Sequence, residues 1–178
     1  MNMKKLVLAA AVSCVMATAA NASEDMGHGK ITFKGSVIDA PCSIDAKSLD
    51  QTIQLGAISK NQLAKGGKST PVDFSIVLHD CDTATFTTAS IAFNGYAGEA
   101  ADGLDSSFAV TGQGAGVGVT LTNMGGKVLK PNVANDLPPL ADGDNELEFQ
   151  AFVQGTTASA GATPGTFQSI ANFVMDYQ

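Results

Sequence analysis

The chain has 178 residues, of which ten are basic and 17 acidic, giving a formal net charge of −7. Every basic residue is lysine, and acidity without arginine argues against nucleic acid and against anionic membrane as partners. That length suits one domain.

The first stretch, "MNMKKLVLAAAVSCVMATAANA", sets Lys4 and Lys5 before an apolar run from Leu6 to Met16. Ala20-Asn21-Ala22 then fits a small-residue cleavage site, so residues 1–22 read as a secretory signal peptide ending before Ser23. The apolar run is too short for a transmembrane anchor. Removal leaves 178 − 22 = 156 residues and a charge of (10 − 2) − 17 = −9, an exported, soluble chain. Cys14 leaves with the signal. Cys42 and Cys81 remain, an even number that reads as one disulfide closing a separation of 81 − 42 = 39 residues. Neither C-x-x-C spacing nor nearby histidine supports a metal or redox pair.

Alternating segments follow in order. "KITFKGSVI" puts Ile31, Phe33, Gly35 and Val37 on one face, and glycine there weakens a strand while allowing close approach. "QTIQLG" offers Ile53 and Leu55. "SKNQLAKGG" suggests a short helix ending at Gly66. "PVDFSIVLHDC" aligns Val72, Phe74, Ile76 and Leu78. "ASIAFNG" ends in Asn94-Gly95, a tight-turn signal. "AGVGVTLTNMGG" aligns Val117, Val119 and Leu121, and "NELEFQAFVQG" aligns Leu147, Phe149, Ala151 and Val153. The tail "GTFQSIANFVMDYQ" reads as a strand running to the last residue, with Gly165, Phe167, Ser169, Ala171, Phe173, Met175 and Tyr177 on its apolar face. Short strands separated by turns predict an all-β sandwich with Ig-like or Greek-key connections.

Candidate catalytic signals are weak. "GGKST" at Gly66–Thr70 lacks the earlier glycine of a phosphate loop, because Gln62 stands there, and reads as a solvated loop. His79 and Asp80 lack a nucleophile and an orienting partner, and fit a strand end. "DGDNE" at Asp142–Glu146 misses the calcium-loop register and reads as a turn. The sequence argues for no enzyme, cofactor or metal.

Taken together, four features resemble the chaperone–usher pilins of Gram-negative bacteria, above all the major shaft subunits of P pili and type 1 fimbriae. They are the arm "GKITFKGSVIDAPCSI" before the first cysteine, "LGAIS" followed by the second cysteine in "VLHDCD", the late "ADGDNELEFQAF", and a C-terminus with glycine fourteenth from the end (Gly165) and a penultimate tyrosine (Tyr177). The resemblance spans essentially the whole mature chain. It implies an incomplete Ig-like β-sandwich lacking its last strand (37–178), preceded by a donor-strand arm (23–36). Ile31, Phe33, Gly35 and Val37 become the arm's groove-facing residues. Gly165, Phe167, Phe173, Met175 and Tyr177 become the strand that a chaperone and then a neighbouring subunit cover. Implied partners are further copies in a head-to-tail filament, a periplasmic chaperone, an outer-membrane usher, other pilins and a tip adhesin, at the end of a route through the periplasm to a cell-surface fimbrium supporting adhesion. Nucleic acid and direct membrane insertion are not implied. The competing readings are a minor pilin or adaptor of the same system, and a self-contained secreted β-sandwich that binds a ligand.

Overall fold

The computed structural model describes residues 28–86 and 88–178; the expected signal peptide lies outside them. The chain divides into two units, one ending at Val37 and the other spanning Ile38–Gln178.

In the first unit, residues 28–37 form no strand. "KITFKGSVI" therefore has the alternation of a strand without a ladder to join. Ile31 is 77% exposed, Phe33 90%, and Val37 fully exposed.

The second unit is built from eleven strands: β1 Ser43–Ile44, β2 Val72–Cys81, β3 Ala89–Asn94, β4 Phe108–Ala109, β5 Thr111–Gly112, β6 Val117–Asn123, β7 Val128–Leu129, β8 Ala134–Asp136, β9 Gly143–Gly155, β10 Phe167–Gln168 and β11 Asn172–Tyr177. One sheet runs β1-β2-β9-β6-β4, with β7 also on β6; a second runs β11-β3-β8; β10 and β5 form a separate ribbon. All pairings are antiparallel.

The alternation read in β2 and β9 is the register that builds the core. Phe74 lies opposite Phe149 and Ile76 opposite Leu147, so the apolar sets of both strands share one face. Against that face stands β3 with Ile91 and Phe93, both buried. Phe93 meets Phe149 edge-on at 5.2 Å and Phe74 at 6.4 Å, which closes the two sheets into a sandwich. β6 departs from simple alternation. Gly118, Thr120 and Thr122 are buried along with Val117, Val119 and Leu121. The Thr120 hydroxyl is satisfied by that of Ser107 at 2.7 Å.

Several local expectations change. "QTIQLG" forms no strand, although Leu55 still packs against the core. The "SKNQLAKGG" helix is reduced to a 3-10 turn at Ala64–Gly66, and a four-residue helix, α1 Ala46–Leu49, appears where none was read. Asn94-Gly95 is not a hairpin turn. The chain bends at Gly95 and continues to the other sheet, where Ala97 pairs with Phe108. A side chain at Gly95 would meet the Ile170 carbonyl and the Phe108 ring at 2.8 Å, and Asn132 holds both its backbone N–H and its carbonyl. "GGKST" is solvated at Lys68 and Thr70 but not at Ser69, which is buried and whose hydroxyl accepts from the Val153 N–H at 2.9 Å. The tail is two strands in different sheets. Between them Ser169 donates its hydroxyl to the Ala109 carbonyl at 2.8 Å, and the chain crosses from β5 to β3.

Candidate functional site

β11 pairs with β3 through six consecutive residues, Asn172 opposite Asn94 to Tyr177 opposite Ala89. A further pair of main-chain hydrogen bonds joins Thr88 and Gln178, so the ladder reaches the last residue. The other edge of β11 has no strand beside it among the described residues. An open edge of this kind presents unpaired main-chain donors and acceptors to any extended segment that can lie along it.

Alternation sorts the side chains of β11. Phe173, Met175 and Tyr177 turn inward and pack against the main core, each half-buried; Asn172, Val174 and Asp176 are exposed. Beyond the open edge lies a groove with apolar walls that also carries Asp39, Asn172 and Asp176. One stretch, about 420 Å³, is lined by Ile38, Pro41, Cys42 and Ile44 opposite Met175 and Tyr177. The next, about 220 Å³, has Ile44 and Leu49 opposite Ala171, Phe173 and Met175. Phe173, Met175 and Tyr177 thus leave part of their apolar surface uncovered along this edge.

The far lip is irregular from Ile38 to Cys42, then runs through β1 and α1, and it is firmly held. The Cys42–Cys81 disulfide joins it to the end of β2, with the two Cα atoms 4.2 Å apart. The Asp82 N–H donates to the Pro41 carbonyl at 3.0 Å. Further along, the Ser48 hydroxyl accepts from the Val77 N–H at 3.0 Å and the Gln51 amide donates to the Ser75 carbonyl at 2.8 Å. Asp45 caps α1 by accepting from the Lys47 N–H at 2.8 Å. Its second oxygen lies 3.4 Å from Nε2 of His79, whose Nδ1 lies 2.9 Å from Asp144. Hydrogen bonds to Asp144 and Asp45 raise the imidazole pKa, and the Lys47 N–H chiefly holds Asp45 below the usual carboxylate range. His79 is thus a tie between α1, β2 and β9.

At the groove's end Tyr177 stacks edge-on against Phe86 at 5.2 Å. Its hydroxyl is enclosed without a protein partner, and burial pushes the phenol pKa up.

The expected site residues are distributed as follows. Phe173, Met175 and Tyr177 stand together along the groove, and Cys42 lies in its opposite wall. Gly165 and Phe167 do not line it. Phe167 sits on β10 opposite Gly112, and Gly165 packs on the backbone of Gln113 and Gly114. Ile31, Phe33, Gly35 and Val37 are on the exposed segment before Ile38. Sequence reasoning missed Ile38, Ile44 and Leu49 as the second lip. Their signal was proximity to Cys42, because a disulfide to the end of β2 carries the flanking apolar residues to the sandwich edge.

A family model described as "Fimbrial protein" matches residues 31–178. The chain belongs to the fimbrial protein family. The Fimbria A protein of Serratia marcescens is 42% identical over 178 residues, covering all of both chains. A subunit from the structure of a chaperone–usher pilus, solved to explain rod uncoiling, superposes with a TM-score of 0.73 at 36% identity, covering 86% of this chain and 97% of that one. The P pilus rod subunit PapA gives a TM-score of 0.68 at 34% identity, covering 78% of this chain and 100% of its own. This fimbrial protein is therefore a structural pilin of the cell-surface fimbrium and not an enzyme. Its body is the Ig-like sandwich of such subunits, open beside β11.

Proposed function

We propose that this fimbrial subunit is the repeating unit of a pilus shaft and assembles by donor-strand exchange. In this reading residues 1–22 are a signal peptide, 23–36 an arm, and 37–178 the domain that receives another subunit's arm. A periplasmic chaperone first covers β11. At an outer-membrane usher the arm of the next subunit replaces it, with Ile31, Phe33 and Val37 entering the groove and Gly35 meeting its shallowest part. Other pilins and a tip adhesin complete the fibre.

The observation that carries the proposal is a mismatch within one molecule. Among the described residues, a segment with strand-like alternation has no ladder, and the edge of β11 has no neighbouring strand. Strand addition supplies main-chain hydrogen bonds for affinity and alternate side chains for specificity. Each buried apolar side chain contributes roughly 1.5–3 kcal/mol. Pairing of one subunit's arm with another's groove is head-to-tail and does not close, so it propagates as a filament.

The test is expression of the mature chain without a chaperone. The proposal expects aggregation or polymerisation, relieved by a peptide spanning residues 28–38. A stable monomer indifferent to the peptide would instead mark a self-contained sandwich.

A further inference from the structure

The arm has a second face. Lys30, Thr32, Lys34 and Ser36 alternate with its apolar set. On the receiving strand, Asp176 is the one charged residue of β11, and it is exposed. Asp39 lies on the opposite lip, along the same stretch of groove, and no lysine lines that stretch. Neither carboxylate makes an ion pair among the described residues. A groove end carrying two unpaired carboxylates thus awaits an arm carrying two cations.

We infer that Lys30 and Lys34 of one subunit's arm pair with Asp176 and Asp39 of the preceding subunit's groove, and that this charge match favours the chain's own arm over arms lacking it. The inference rests on the donor-strand reading above.

Register makes the pairing hard to avoid. The inward residues of β11 are Phe173, Met175 and Tyr177, and those of the arm are Ile31, Phe33 and Val37. Seating both sets in one groove aligns odd positions with odd and even with even; a one-residue slip turns the apolar set to solvent. With Thr32 opposite Asp176, both lysines are diagonal to it. A two-residue shift either way places Lys30 or Lys34 directly opposite. The same alignments arise whether the strands run parallel or antiparallel. Directly opposite and diagonal side chains both interact across a strand pair. Such exposed pairs are individually weak and screened by salt, so their effect falls on docking rate and partner choice.

The test uses full-length subunit co-purified with its chaperone, challenged with peptides of residues 28–38 at low salt. The wild-type peptide should displace the chaperone. A Lys30→Glu/Lys34→Glu peptide should do so about fivefold more slowly or worse, and the gap should close at high salt. Asp39→Lys/Asp176→Lys subunit should reverse the preference. Equal low-salt rates for the two peptides would overturn the inference while leaving donor-strand exchange intact. Should that double variant fail to reach the chaperone complex, the peptide and salt comparisons on wild-type subunit still decide. Failure of the wild-type peptide itself would overturn the donor-strand reading and this inference together.

Discussion

Tyr177 meets Phe86 edge-on, ring centroids 5.2 Å apart and planes at 71°, so the penultimate residue of the chain is part of the sandwich core. Removing the ring should open the groove's end. Tyr177→Ala is expected to cost about 2 kcal/mol, because the side chain is half-buried. Tyr177→Phe should cost under about 1 kcal/mol, since the enclosed hydroxyl has no protein partner to lose. Combining deletion of Asp176–Gln178 with Phe173→Ala should abolish co-purification with a chaperone. Equal stability of the Ala and Phe variants by urea unfolding of the complemented subunit would show that the ring is not a core element.

Cys42→Ser should sharply lower the yield of folded subunit. The bond closes a separation of 39 residues, for which chain entropy gives about 4 kcal/mol, and it anchors the lip opposite β11. Mass spectrometry of non-reduced protein should find one crosslinked peptide pair joining Cys42 to Cys81. Two free thiols in periplasm-derived protein would contradict this.

Gly165 is packed closely within the domain body. Its φ is +156°, and an added Cβ would stand 2.6 Å from the backbone of Gln113 and Gly114. Gly165→Ala should therefore destabilise the body by about 3 kcal/mol, read as a lower denaturant midpoint of the complemented subunit. An unchanged midpoint would place Gly165 in recognition alone.

His79 should give stability a pH dependence. Its folded pKa is raised by Asp144 and Asp45, so its contribution is complete below the unfolded value of about 6.5 and is lost as pH rises through the folded pKa. Asp45 has the opposite sign: its pKa is lowered, and its contribution fades as pH falls through that value. The deficit of His79→Gln relative to wild type should be largest in mildly acidic solution and shrink toward alkaline pH. A deficit independent of pH would show that the ion pairs with Asp45 and Asp144 contribute nothing.

The sandwich was largely legible because β2, β3 and β9 each bury one face against the other sheet, and a period of two survives in such strands. β6 was harder to read, since its threonines are buried too and the Thr120 hydroxyl finds its partner inside, on Ser107. The tail was read as one strand because its alternation is unbroken. Only the tertiary bond from Ser169 to the Ala109 carbonyl shows where it changes sheets. The inward row of β11 was plain in the sequence. The opposite lip was not, because residues 38–42 follow no period and are held by a crosslink. The Asn94-Gly95 pair misled for a related reason: a dipeptide that favours a tight turn was used where two backbones pass closely.

The central claim is that the exposed segment before Ile38 completes a neighbour's fold and not its own. Gly35→Asn tests it most directly. Nothing lies within 4 Å of a Cβ placed on Gly35, so the subunit's own structure accommodates the change. On the donor-strand reading the same side chain meets a site in the receiving groove too shallow for it. In cells whose only copy is Gly35→Asn, electron microscopy and periplasmic co-purification should find the chaperone–subunit complex at normal yield and few or no surface filaments. Filaments of ordinary length would contradict the account, and loss of the chaperone complex as well would mean that Gly35 belongs to the domain core.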